Sequence, residues 1–202
     1  MKTTIVLARH GRSQAADQGI VQGKGLAVPL SDEGRAQAER LAVALAHFNF
    51  DGIYSSQALR ARETAAPIRV KFPEVRYEEL PELSERSKGE AEGMKKDEFD
   101  ARYPEILAAW SREEDPRVPG GENFADVEAR AWPVILRILE DGAGGTRLIV
   151  GHGNVFRVLI GRMLGVPMGS RSRIAQGYCA INVCVFDHEK KRWSVECLNH
   201  VP

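Results

Sequence analysis

The 202-residue chain has an ordinary globular composition, 43% hydrophobic and 28% charged, with enough apolar material for one sizeable domain. Its 28 Lys and Arg residues equal its 28 Asp and Glu residues, so no basic surplus favours nucleic acid or an anionic membrane surface as a partner. The apolar run before Arg9 is too short for a secretory leader, and none approaches the roughly 20 residues of a membrane span. We therefore expect a cytoplasmic protein without nucleic-acid or membrane partners.

Apolar periodicity divides the chain into alternating strands and helices. A β-branched run over 4–8 predicts a buried strand, and Ser31 is a good N-cap for a helix that continues to about Ala46. Pro67 and Pro133 fall inside later helical patterns, and we expect each to bend its helix or to mark an end of it. Further strands are predicted at 51–55 and 147–151, helices at 56–70, 96–110, 124–139 and 155–164, and an antiparallel hairpin from 180–187 and 192–198.

The middle of the chain is more polar than either end. The acidic segment 78–93 predicts a loop, and 115–121 is a turn-rich break. The alternation of strands and helices on both sides of this region predicts a three-layer α/β/α sandwich with a largely parallel central sheet. We expect a single domain over 1–202, with a cap-like insertion at about 86–121.

Two predicted strands end in the same way. His10-Gly11 follows the first strand and His152-Gly153 follows the strand at 147–151. Ligands of open α/β sheets bind at the carboxyl ends of the strands. We therefore expect the two histidines to meet in one pocket, although they are far apart in sequence.

Histidine at such a position suits phosphoryl chemistry. A neutral imidazole can attack phosphorus and divide one difficult displacement into two easier ones. The transferred group carries negative charge, which needs fixed cations and N–H donors around it. Arg9 adjoins His10, and a guanidinium matches phosphate oxygens in geometry as well as in charge. Gly11 and Gly153 would let the backbone approach the phosphate closely.

Seven short motifs extend these features along nearly the whole chain. They are Arg9-His10-Gly11 with Ser13, Gln22-Gly23, Pro29 to Gly34 with Gln37-Ala38, Ser55-Ser56 with Leu59-Arg60-Ala61 and Thr64-Ala65, Glu85 to Gly89 with Glu92-Gly93, Gly121-Glu122 with Arg130, and Gly151-His152-Gly153. In this combination the chain resembles the histidine phosphatase superfamily, the phosphoglycerate mutase-like group with the Arg-His-Gly signature.

The resemblance implies a role for each matching residue. His10 would be the phosphorylated nucleophile, and Glu85 would protonate the leaving oxygen and then activate water, with Glu82 as the alternative acid. A raised pKa would suit a carboxyl group to that acid role. No metal or other cofactor is implied, and the sequence has no metal-ligand spacing. The phosphate contacts would come from Arg9, Arg60, His152, Gly153, Ser13 and Gln22.

The sequence departs from the family pattern at two positions. Ala16 replaces an asparagine that would contact phosphate, so we expect this substrate contact to be missing. Lys88 stands where an aromatic residue is common, and it would add a cation for an anionic substrate.

Three functions fit these residues. The first is a metal-independent phosphatase that hydrolyses a small phosphorylated metabolite through phosphohistidine, and the compact chain favours it because cofactor-dependent mutases of the family are usually longer. The second is a phosphoglycerate mutase-type transfer, to which the Glu85-Arg86 pair is similar. The third is a non-catalytic phospho-ligand-binding domain, but such domains typically lose a catalytic histidine or arginine. Neither the natural substrate nor the oligomeric state follows from the sequence, and specificity should come from about 86–121.

Overall fold

A computed structural model describes residues 1–202 as a six-stranded sheet with helices on both faces. The strands are β1 (Lys2–Arg9), β2 (Gly52–Ser55), β3 (Tyr77–Glu79), β4 (Thr146–Gly151), β5 (Ile181–Asp187) and β6 (Arg192–His200). The helices are α1 (Gln14–Asp17), α2 (Asp32–Ala44), α3 (Leu59–Lys71), α4 (Lys96–Arg102), α5 (Pro104–Ser111), α6 (Phe124–Glu140) and α7 (Gly153–Met163). Short 3-10 segments cover Pro81–Leu83, Gly89–Ala91 and Met168–Arg173.

The sheet has the order β3-β2-β4-β1-β5-β6. Its first four strands are parallel neighbours, and β5 runs antiparallel to both β1 and β6. This topology confirms the predicted α/β fold with a largely parallel sheet and the closing hairpin. Because β1 and β4 are paired in parallel, with Arg9 opposite Gly151, their carboxyl ends lie side by side.

The central strands β1 and β4 are buried on both faces, which explains their continuous apolar runs. Ile5 and Leu7 of β1 belong to a core cluster with α6 and α7. Val6 and Ala8 point to the opposite face and pack with residues of α2 and α3. The alternation along one strand therefore builds the two outer layers of the sandwich.

Helix ends follow local sequence signals. The Ser31 hydroxyl caps α2 by accepting from the Gly34 N–H at 3.1 Å, as predicted. The helix α3 continues past Pro67 to Lys71, so this proline does not end it. The burial of Ala65 and Ile68 on the sheet outweighs the one backbone hydrogen bond that a proline removes.

The middle of the chain differs most from expectation. The helix predicted over 96–110 is two helices, because Tyr103 precedes a proline and adopts φ −128° and ψ 51°, outside the helical region. The predicted loop 78–93 contains β3 and two 3-10 turns. Phe99 and Ile106 help to form a small apolar cluster apart from the two main ones. None of the helices combines the length and apolar composition that a membrane span requires.

Candidate active site

A cavity of about 190 Å³ lies at the carboxyl end of β1. It is at the edge of the sheet where parallel strands place ligands. Its lining residues come from five separate parts of the chain: Arg9, His10, Val21, Gln22, Gly23, Arg60, Glu85, Lys88 and Asn154.

His10 is buried just beyond β1, and its backbone N–H donates to the Gly151 carbonyl of β4 at 2.9 Å. The ring atom Nδ1 is 2.7 Å from the carbonyl oxygen of Gly11, so Nδ1 carries the proton and Nε2 keeps its lone pair. Burial, together with the neighbouring His152, Arg9 and Arg60, lowers the pKa of His10 well below its usual value. The imidazole is therefore neutral near pH 7, as a nucleophile must be.

His152 lies at the N-cap of α7 and is fully buried. Its ring is edge-on to that of His10, with 5.1 Å between the ring centroids, so the structure brings the two predicted histidines together. Its Nε2 lies 2.8 Å from the Ser56 hydroxyl, which accepts from the Ala58 N–H and can donate its own hydrogen to the ring. Nδ1 then bears the ring proton and has no partner in the protein.

The positive charge near His10 comes from two guanidinium groups. Arg9 donates to the Gln176 carbonyl and lies over the Tyr178 ring, 4.1 Å from its centroid. Arg60, near the start of α3, is 1% exposed and donates to the carbonyls of Gly25 at 2.7 Å and Gly23 at 3.0 Å. In both arginines Nε is buried without a hydrogen-bond partner, so each has an N–H available for a ligand.

Two glycines permit the close approach of backbone at this site. A side chain at Gly11 would place its Cβ 2.5 Å from the Gly34 carbonyl oxygen, and one at Gly153 would lie 3.3 Å from Arg9 Nε. The Gly11 N–H also donates to Thr64 Oγ1 at 3.0 Å. Packing at these positions fixes the turn that follows His10.

Glu85 also lines the cavity. Its Oε1 accepts from the Arg86 N–H at 2.7 Å, and its Oε2 accepts from the Asn154 N–H at 3.4 Å. Burial alone would raise the pKa of Glu85, but the Arg86 N–H and the charges of Arg60 and Arg9 lower it. The direction expected for the pKa of Glu85 from burial alone was therefore wrong. A bound phosphate would offset the charge of the two arginines and so favour protonation of Glu85.

A half-buried network holds the loop that carries Glu85. Arg130 donates to the Glu85 carbonyl at 3.1 Å and to Glu122 Oε2 at 2.9 Å. Glu122 also accepts from Lys24 Nζ at 2.7 Å and from the Ser87 N–H at 2.9 Å. The loop of Glu85 and the loop of Lys24, on two sides of the cavity, are thus tied to one carboxylate.

The remaining predicted contacts fall into two groups. Gln22 lines the cavity, with Oε1 buried and without a partner, and Gly153 is the first residue of α7. Ser13 does not line it; its hydroxyl caps α1 by accepting from the Ala16 N–H at 3.3 Å. Ala16 itself borders a neighbouring, more apolar cavity.

Sequence reasoning missed three residues around the cavity. Lys24 and Tyr178 carry no motif; only the folded chain brings Tyr178 to 6.0 Å from His10, between ring centroids, and Lys24 to Glu122. Asn154 follows the His152-Gly153 pair directly, so its position was a usable signal. No three His, Cys, Asp or Glu side chains are grouped in a way that would hold a metal ion.

The fold and the cavity define an α/β protein with imidazole and guanidinium groups converging at the carboxyl edge of its sheet. The family model of the histidine phosphatase superfamily (branch 1) matches residues 5–200. The chain belongs to this superfamily.

Individual relatives include both mutases and phosphatases. A 2,3-bisphosphoglycerate-dependent phosphoglycerate mutase of Mesorhizobium japonicum is 33% identical over 167 residues, which are 79% of this chain and 81% of that protein. A mycobacterial glucosyl-3-phosphoglycerate phosphatase has 25% identity and a TM-score of 0.88, covering 98% of this chain and 99% of its own. The alpha-ribazole phosphatase of Shigella flexneri has 26% identity and a TM-score of 0.85, covering 98% and 96%.

These matches support catalysis, but they do not decide whether water or a phosphoglycerate accepts the phosphoryl group. The mutase and this chain cover nearly equal shares of each other, so they are similar in length. Compactness therefore does not separate a phosphatase from this mutase.

Proposed function

We propose that this protein is a metal-independent phosphatase that hydrolyses a small phosphorylated metabolite through a phosphohistidine at His10. One observation carries the proposal: three buried nitrogen atoms near His10 have no hydrogen-bond partner in the protein. They are Nε of Arg9, Nε of Arg60 and Nδ1 of His152. Unpaired buried donors are costly, and the oxygens of a phosphoryl group would pair with all three.

In the first step, Nε2 of His10 attacks phosphorus and the bond to the ester oxygen breaks. The Arg9, Arg60 and His152 donors stabilise the charge on the phosphoryl oxygens in the transition state. Glu85, protonated once the phosphate offsets the arginines, gives its proton to the departing oxygen. The products of this step are the free alcohol and phosphohistidine.

In the second step, water attacks phosphorus from the side that the alcohol has left. Glu85, now a carboxylate, takes a proton from that water. The N–P bond breaks, inorganic phosphate forms and His10 returns to its neutral state. The same carboxyl group thus serves both half-reactions.

Hydrolysis is preferred because structural neighbours that cover almost the whole chain are phosphatases. Phosphoglycerate mutase-type transfer is the second candidate, favoured by the 33% identity to the Mesorhizobium japonicum mutase. The two share the first step and differ in whether water or a phosphoglycerate accepts the group.

The test compares wild type with His10→Ala, and with His47→Ala as a control at an exposed histidine. Each is incubated with p-nitrophenyl phosphate, or with 3-phosphoglycerate plus its bisphosphate, with and without chelator. We expect phosphate release that resists chelator and falls by about 10³-fold or more in His10→Ala. Isomerisation without release would replace the proposal by the mutase, and absence of all turnover would contradict both.

A further inference from the structure

A second cavity adjoins the one at His10. It has a volume of about 310 Å³ and shares Lys88 and Asn154 with the first. Its other lining residues are Arg86, Trp110, Asp115, Phe124, Arg157 and Ser172. The proposed reaction uses none of these.

Arg86 is the unusual member of this lining. Arg86 is only 5% exposed, yet its side chain makes no ion pair and its Nε is buried without a partner. The guanidinium carbon lies 5.1 Å from the centroid of the Trp110 ring and 4.8 Å from that of Phe124. These aromatic faces offset part of the cost of burying the charge, but they accept none of its five N–H groups in the way an oxygen would.

The other buried arginines differ from Arg86, because each of them has an acceptor within the protein. Arg60 donates to two carbonyls, Arg147 pairs with Asp51, and Arg171 pairs with Glu128. A buried guanidinium without an acceptor is unfavourable in the free protein. Such a group is retained at a cost to stability when a ligand supplies the missing acceptor.

Two further cations border the same space. Lys88 Nζ lies 4.6 Å from the Trp110 ring centroid and has no acceptor. Arg157 donates to the Ile174 carbonyl at 3.0 Å and to Asn154 Oδ1 at 3.2 Å, both neutral.

One carboxylate lines this cavity, and it is already engaged. Asp115 accepts from the N–H groups of Phe124 at 2.8 Å and Ala125 at 3.1 Å. The cavity therefore has a surplus of positive charge.

We propose that this cavity binds a second anionic group on the substrate, carried by the alcohol that leaves phosphorus. The inference rests on the proposed function, since it takes the phosphoryl group to lie at His10. Lys88 and Asn154 line both cavities, so one molecule can occupy both. The group is a carboxylate or a second phosphate, either of which accepts charge-assisted hydrogen bonds from Arg86 and Lys88.

The test uses substrates that differ in the second anion alone. We compare 3-phosphoglycerate with glycerol 3-phosphate, and 6-phosphogluconate with sorbitol 6-phosphate, so that two spacings are sampled. A third pair, fructose 1,6-bisphosphate and fructose 6-phosphate, tests a second phosphate as the additional anion. We expect at least one anion-bearing member to exceed its partner in kcat/KM by about tenfold or more.

The variant Arg86→Met identifies the residue responsible. We expect it to reduce kcat/KM of the preferred anionic substrate about tenfold more than that of its matched partner, and Arg86→Lys to restore part of the preference. The exposed Arg112→Met should leave the ratio as in wild type. We also expect Arg86→Met not to lower the thermal midpoint, whereas a purely structural arginine would lower it.

The same pairs separate failure of this inference from failure of the proposed function. If p-nitrophenyl phosphate is hydrolysed through His10 but no pair shows a preference, the second anion site is wrong and the phosphatase stands. If nothing is hydrolysed, calorimetry with His10→Ala measures the binding of each pair directly. Equal affinity within every pair would then overturn the anion site.

Discussion

The two halves of the candidate site are held in different ways. His10 and His152 follow adjacent parallel strands, with their backbones fixed by the register of β1 and β4. Glu85, Arg86 and Lys88 lie on the segment between β3 and α6, which contributes no central strand. The first half is positioned by the core of the sheet, and the second by side-chain carboxylates.

This difference matches the work that each half would do. A nucleophile and its phosphate donors need the same geometry for any substrate, and strand ends in a packed core provide it. Recognition of the leaving group varies between substrates, and loops on a rigid scaffold accommodate that variation. Substitutions in the two halves can therefore test the chemistry and the substrate specificity separately.

The largest expected effect concerns Glu85. Glu85→Gln keeps the shape of the side chain but cannot release a proton, so we expect kcat/KM for an alkyl phosphate to fall by about 10²-fold or more. The loss for p-nitrophenyl phosphate should be smaller, because its leaving group needs little protonation. Steady-state phosphate release with both substrates measures the difference. The exposed Glu82→Gln is the control, and an equal loss there would transfer the acid role to Glu82.

The next effect concerns the carboxylate that ties the two loops. Burial alone would raise the pKa of Glu122, but hydrogen bonds from Arg130, Lys24 and the Ser87 N–H lower it to about 2. A carboxyl group whose pKa is lower in the folded state than in the unfolded state stabilises the fold at pH values above its unfolded-state pKa. This contribution is lost as the pH falls through the folded-state pKa. We expect Glu122→Gln to reduce the free energy of unfolding at pH 7 by roughly 1–3 kcal/mol.

Denaturant titrations at several pH values check this expectation. The difference between wild type and Glu122→Gln should shrink from about pH 4.5 towards about pH 2, the interval between the ordinary and the folded pKa. Glu114→Gln removes an exposed pair with Arg112 and should change stability much less. A difference that persists unchanged at low pH would contradict the role of the charge.

The smallest effect concerns Lys88. Burial, then the charge of Arg86 and Arg157 acting against Glu85 and Glu92, lowers its pKa to about 7. The ammonium form is present below this pH and lost above it, so we expect the preference for an anion-bearing substrate to fall about threefold to tenfold as the pH rises through 7. The ratio of kcat/KM for a matched substrate pair measures it. Lys88→Met should flatten the profile, and an unaltered pH dependence in that variant would exclude Lys88 as the source.

The sequence predicted the sheet half of the site better than the loop half, for physical reasons. Apolar runs that end in His-Gly are local patterns, and ligand binding at the carboxyl ends of strands made their convergence foreseeable. The strand β3 was missed because Tyr77–Glu79 is short, polar and half-buried, without alternation. The break at Tyr103-Pro104 was available from the restriction that proline places on the residue before it.

The loop half depends on contacts that no local pattern contains. Lys24 and Glu122 are 98 residues apart in sequence and form one ion pair. The direction of the Glu85 pKa could not be predicted either, since burial was foreseeable but the nearness of Arg60 was not. Motifs identify which residue types are present, whereas their electrostatic balance requires the folded chain.

The hydrogen bond from His10 Nδ1 to the Gly11 carbonyl has a regiochemical consequence. Phosphohistidine exists as two isomers, substituted on one ring nitrogen or on the other, and they are distinct compounds. With Nδ1 occupied by its own backbone, a phosphoryl group carried by His10 is attached to Nε2, the nitrogen farther from the main chain. In the proposed reaction, the turn after the first strand would thus select which of the two compounds forms.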